Sequence, residues 1–155
     1  MRKTTYGKSW FLAKRRFTEQ WDESQAADAH AKRKPYAAAI RNEDGCVTVV
    51  DARDDYYGVD FLDAIGREYL SYQFQELEPG RLFLTMATHR EFDGETDRVS
   101  YGTTYYFKPD GSVTVETEDF ATANLATKEM KVDVNGNWET YPNFGDYRSL
   151  TRVDR

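Results

Sequence analysis

Apolar and polar residues alternate with a period of two from Glu68 to Asp119, and short turn sequences interrupt the alternation. EYLSYQFQEL (Glu68–Leu77) runs to Glu78-Pro79-Gly80-Arg81. LFLTMATHREF (Leu82–Phe92) runs to Asp93-Gly94 and a charged tip. VSYGTTYYF (Val99–Phe107) runs to Lys108-Pro109-Asp110-Gly111, and SVTVETED (Ser112–Asp119) follows. Asp-Gly and Pro-x-Gly between alternating segments signal hairpins, because Pro presets one turn dihedral and Gly accepts the left-handed one. The pattern predicts a meander of antiparallel strands. Leu70, Tyr72 and Phe74 share one face, as do Val113 and Val115, while Thr114, Glu116 and Glu118 point the other way. Phe83 breaks the alternation of its strand and argues for a central position.

Upstream, SWFLAKRRFTEQW (residues 9–21) reads as an opening strand, and DESQAADAHAKRK (residues 22–34) as an exposed helix capped at Asp22 or Ser24 and ended by Pro35. Tyr36–Ile40, Cys46–Val50 and Tyr57–Asp63 are further strands. Downstream, Ala121–Thr127 is a loop or helical turn, and KEMKVDV (Lys128–Val134) alternates into Asn135-Gly136, a hairpin signal answered by Trp138–Tyr141. Phe144, Tyr147 and Leu150 follow at three-residue spacing as a docking segment. The expected fold is a single mainly β domain over residues 1–155, of about eight to ten strands with little helix, as a strongly curved sheet or open barrel.

Composition narrows the class. Hydrophobic content is 39% and charged content 31%, but the 15% aromatic content argues for a packed core. The net charge of −6 is unevenly placed: residues 1–35 hold nine Lys/Arg against four Asp/Glu, and residues 36–155 hold twelve against twenty-three. An acidic body disfavours nucleic acid and anionic membranes and suits a basic partner. Lys14-Arg15-Arg16 between Phe11 and Phe17 is too short a basic run to reverse that. Cys46 is the only cysteine, which fits a reducing compartment and a small packed residue rather than a nucleophile. The residues after Met1-Arg2-Lys3 are polar, and no stretch approaches the ~18 apolar residues of a membrane span, so a cytoplasmic location is expected.

Candidate chemistry is sparse. There is no phosphate-binding loop, no GxGxxG, no GxSxG and no HExxH. Two histidines and one cysteine without ligand spacing argue against zinc. Asp93-Gly94-Glu95-Thr96-Asp97 starts like a calcium loop, but Arg98 and Thr104 stand where that loop needs Gly and Glu. No metal or other cofactor is called for. His30 reads as an exposed helix residue. His89, with Glu91 on its face, is a strand histidine that could serve a hydrolytic enzyme. Acidic and aromatic residues suit a partner surface at Asp54, Asp55, Tyr56 and Tyr57, and at the tip formed by Asp93, Glu95 and Asp97.

Three stretches, Val59–Asp63 running to Gly66-Arg67-Glu68-Tyr69-Leu70-Ser71-Tyr72, Gly80–Leu84, and Trp138 with Tyr141–Tyr147, resemble small immunity proteins of bacterial polymorphic toxin systems. That resemblance implies a cytoplasmic, non-catalytic antidote that binds and blocks one cognate toxin domain. The expected partner is then a protein toxin with a basic surface, and charge reversal at Asp54 and Asp55 should weaken binding. A β-barrel-like carrier of a small molecule, lined by Tyr72, Phe74, Tyr101 and Tyr105, is the alternative. A hydrolase using His89 is the third reading.

Overall fold

The computed structural model describes residues 2–155, and they form a mainly β protein, 53% strand and 10% helix, built on one open antiparallel sheet. Its strands are β1 (Lys3–Gly7), β2 (Trp10–Phe11), β3 (Arg16–Phe17), β4 (Gln20–Trp21), β5 (Tyr36–Arg41), β6 (Val47–Ala52), β7 (Tyr56–Leu62), β8 (Glu68–Glu78), β9 (Arg81–Phe92), β10 (Val99–Phe107), β11 (Ser112–Asp119), β12 (Asn124–Lys131) and β13 (Trp138–Thr140). One α-helix, α1 (Glu23–Ala31), lies between β4 and β5. The main sheet runs β12-β11-β10-β9-β8-β7-β6-β5-β1-β4, so β5 to β12 are a pure meander. β13 pairs Arg81–Phe83 of β9, in line with β10, which pairs Met86–Phe92.

The expected meander is present, and its strand limits agree with the sequence to within a few residues. The two faces of the sheet are unequal. One face carries Tyr36, Ala38, Ile40, Val50, Tyr57, Val59, Phe61, Tyr72, Phe74, Leu82 and Leu84, and it forms the core with α1 and the C-terminal segment. The helix sits close because the side chains it buries are Ala26 and Ala29. Asp22 closes its N-terminus in a capping box with Gln25, which satisfies two otherwise orphaned donors. The helix is therefore a packed element and not the exposed segment its polar composition suggests.

After β13 the chain lies back across the core. The Phe144 ring stacks on Tyr6 at 5.1 Å, and Tyr147 and Leu150 are buried. This is the docking that the spacing of Phe144, Tyr147 and Leu150 anticipates. Farther on, Arg155 lies over the rings of Tyr72 and Phe74 and pairs with Glu139 at 3.1 Å.

Elsewhere the structure departs from the sequence pattern. Residues 9–21 are not one strand. They form a small arm in which β2 and β3 pair around a 3₁₀ turn, Leu12–Lys14, and Arg15 takes a left-handed φ of 52°. A Cβ on Gly7 would overlap the Phe17 ring, so the arm seats on β1 only because that residue is glycine. Asn135-Gly136 does not join a hairpin. It lies in a short 3₁₀ turn, and β13 pairs β9 instead of the strand before it. That strand, β12, begins at Asn124 and pairs β11, so residues expected to loop complete the sheet edge. The alternation of Met130, Val132 and Val134 does not mark one buried strand face: Met130 is exposed on β12 and Val134, past its end, is buried.

Candidate partner-binding surface

The sequence-derived candidates divide into two groups at opposite ends of β7. Asp54 and Asp55 occupy the β6–β7 turn, whereas Asp93, Glu95 and Asp97 occupy the β9–β10 tip, beyond the far end of that strand. Seven residues of strand put roughly 20 Å between them. They do not form one surface. Tyr56 and Tyr57 also point to opposite faces, as neighbours in a strand must. Tyr57 is buried in the core, with its ring edge on Tyr141 at 5.3 Å. Its assignment to a partner surface is corrected by that burial.

Asp54 is exposed but already engaged. Arg33 pairs with its carboxylate at 3.5 Å and with Glu76 at 2.7 Å, and lies 4.1 Å over the Tyr141 ring. The Tyr141 hydroxyl donates to the Asp54 carbonyl at 2.9 Å. This knot closes one end of the core. At the other end Arg67 donates to the carbonyls of Gly94 and Thr96 at 2.8 and 2.9 Å and pairs with Asp63, which fixes the tip. Asp97 pairs with Arg15 of the arm at 3.4 Å, while Asp93 and Glu95 stay exposed.

Tyr56 faces the side of the sheet away from the core, where Asp51, Asp60 and Glu68 gather. Burial, reinforced by Glu68 and Asp51, pushes the Asp60 carboxyl up to about 7. Burial also raises Asp51 against the pull of Arg53, and raises the Tyr56 phenol. Arg90 anchors the group, pairing with Glu68 at 3.0 Å and donating to Ser71. The arm reaches this side, and Phe11, Leu12 and Arg15 share a cleft of about 580 Å³ with Glu68, Arg90 and Phe92. Asp60, crowded by two further carboxylates, therefore holds a proton near neutral pH. The three acids were legible in the sequence only as ordinary alternating polar positions.

His30 is not exposed. Its Nδ1 lies 2.9 Å from the Tyr36 hydroxyl, which in turn lies 2.8 Å from that of Tyr147. Burial first, then Arg33, holds the imidazole below its ordinary value, so the ring is neutral at pH 7. It joins helix, sheet and C-terminal segment. His89, by contrast, lies on the open surface of β9 between Leu70 and Thr103. Tyr72 and Phe74 are packed in the core while Tyr101 and Tyr105 are exposed, so these four do not line a common cavity.

What the sequence reading missed is the far end of the sheet. The α1 and C-terminal cover stops at Ala87 and Phe107. The face that forms the core continues past it through three strands. In register, Phe107, Val113 and Met130 form one row, and Tyr105, Val115 and Lys128 the next. Tyr105 and Phe107 stack with planes 12° apart, and Tyr105 is 38% exposed. On the opposite face Tyr106, Phe120 and Leu125 are exposed beside Glu116, Glu118 and Glu129. All eight residues of the edge strand β12 are exposed. The tip carrying Asp93 and Glu95 precedes β10 and flanks this end. Apolar area rimmed by acids, ending in a strand with one open edge, has the make-up of a protein interface.

Among the described residues no helix is long and apolar enough to cross a membrane, and no His, Cys, Asp and Glu side chains group as they would to hold a metal. No protein-family model, curated protein or solved structure matches this chain.

Proposed function

We propose that this chain is a non-catalytic immunity protein that binds the toxic domain of a cognate bacterial protein and blocks it stoichiometrically in the cytoplasm. The observation that carries this reading is the open end of the sheet, where Tyr101, Tyr105 and Met130 are exposed on the core-side face and Phe120 and Leu125 on the opposite one. A chain with an ordered core gains nothing for its own stability by leaving large apolar residues uncovered, and such area is characteristic of partner surfaces. The acidic neighbours Glu116, Glu118, Asp119 and Glu129, with Asp93 and Glu95 of the tip, suit a partner with a basic surface. Asp54 and Asp55 lie at the other end and are left out of the contact.

The test is co-expression. The tagged chain is used to retrieve its partner from the native host, and the partner gene is then expressed with and without the chain. Toxicity relieved by the wild type at one-to-one stoichiometry, and not by Tyr105→Asp with Leu125→Asp, supports the reading. A partner that is not toxic refutes it, and toxicity relieved equally by the variant refutes the placement of the contact at this end of the sheet.

A further inference from the structure

We infer that the partner adds a β-strand to the β12 edge, and that this strand alternates basic with apolar residues. The inference rests on the protein-binding reading above and names the mode and chemistry of the contact. In an antiparallel ladder, alternate residues exchange both backbone bonds with the neighbour, and the residues between them direct both groups outward. The Val132 amide donates to the Gly111 carbonyl at 2.9 Å, and the pairing continues in register as Val113 with Met130, Val115 with Lys128 and Thr117 with Ala126. The even-numbered residues of β12 therefore face β11. Leu125, Thr127 and Glu129 turn their N–H and C=O groups to the open side, offering a strand-long row of donors and acceptors.

The side chains bordering that edge set what can lie there. On the face away from the core, Thr127 stands beside Glu116, Leu125 beside Glu118, and Glu129 is on β12 itself. An incoming strand lies about 10 Å from β11, which a lysine or arginine spans across the small Thr127. On the core-side face, Met130 extends the apolar row of Val113 and Phe107, the stem of Lys128 continues that of Val115 and Tyr105, and Ala126 follows beside Thr117. A strand seated here meets the carboxylates of Glu116, Glu118 and Glu129 on one face, with Lys131 at the end of that row, and on the other face an apolar surface interrupted by Lys128; its own alternation must match. A second copy of this chain does not fit, because it would bring another Glu116, Glu118 and Glu129 row to the same edge.

The probe is an end-blocked synthetic octapeptide alternating lysine with valine, and its control alternates glutamate with valine. Binding is read by fluorescence anisotropy, and amide hydrogen exchange is read by NMR on the labelled protein. The lysine peptide should bind at least ~10-fold more tightly than the control and slow exchange at Leu125, Thr127 and Glu129. Thr127→Pro removes an outward N–H that its own sheet does not use, so it should keep the fold and lose the peptide. Should that variant fail to fold, Glu116→Lys with Glu118→Lys provides the same comparison through charge. Equal binding by the variant, or protection confined to other strands, overturns strand addition. So does a wild-type dimer in sedimentation that Thr127→Pro abolishes, because the edge then belongs to a second copy. Neutralisation kept by Thr127→Pro but lost by Tyr105→Asp overturns the inference and leaves the function standing. Neutralisation kept by both removes this end of the sheet from that function as well.

Discussion

The hydroxyls of Tyr36 and Tyr147 lie 2.8 Å apart although 111 residues separate them in the chain. The bond ties β5, at one side of the meander, to the segment that closes over the core after the last strand. His30 of α1 adds a third member through Tyr36. Burial and the neighbouring Tyr147 push the Tyr36 phenol far up, so it remains a neutral donor and acceptor across the physiological range.

Tyr147→Phe should remove this bond while keeping the ring, and cost about 1–2 kcal/mol in urea unfolding. Leu150→Ala in the same segment should cost about 2–5 kcal/mol, since Leu150 is 0% exposed and leaves a void. Equal and negligible effects of the two changes would mean that the C-terminal segment does not stabilise the core.

Asp60 sets a pH dependence of definite sign. Its carboxyl stands at about 7 in the folded protein against 3.8 ordinarily, so the folded chain binds this proton more strongly than the unfolded chain. Its contribution is fully present below the unfolded value and is lost as pH rises through about 7. Asp60→Asn should therefore stabilise the protein by more than ~1 kcal/mol at pH 8 and flatten the slope between pH 4 and 7. Thermal unfolding across that range decides it, and an unchanged slope would show that Asp60 carries no such proton.

Glu139 binds two cations, Arg152 at 2.7 Å and Arg155 at 3.1 Å, and the Arg155 side chain is 9% exposed. Glu139→Ala leaves a buried guanidinium without its counter-ion and should cost about 3–5 kcal/mol. Asp146→Ala breaks only the exposed pair with Arg148 and should change stability by less than ~1 kcal/mol. Chemical denaturation of the two variants side by side checks the contrast.

Charge reversal separates the two ends of the molecule. Glu116→Lys with Glu118→Lys should weaken partner binding by at least ~10-fold and invert its dependence on salt. Asp54→Lys with Asp55→Lys should leave affinity within about 3-fold, because that turn faces away from the open strands. Calorimetry at two ionic strengths tests both. The reverse ranking would return the partner to the β6–β7 turn.

The hairpins from Glu68 to Asp119 were readable from residue order, because strand alternation and turn chemistry act between neighbours. Asp93-Gly94 and Asp110-Gly111 turn the chain wherever they occur, and Val113 and Val115 reveal the face they share. The docking of Phe144, Tyr147 and Leu150 was legible from their three-residue spacing, which is also a local property. Distant partners decided the rest. Asn135-Gly136 carries a hairpin signal, yet Trp138 pairs Phe83 because their rings pack at 4.9 Å. Ala26 and Ala29 look like surface residues until the sheet beneath needs small side chains. Tyr57 and Tyr105 are alike in sequence, but one lies under the C-terminal segment and the other beyond its reach. The chain by itself determined its central hairpins, their turns and its acidic character, which are local or additive properties. Only the tertiary structure decided which part of the apolar face stayed open, because burial depends on where α1 and the C-terminal segment end, many residues from the strands they cover.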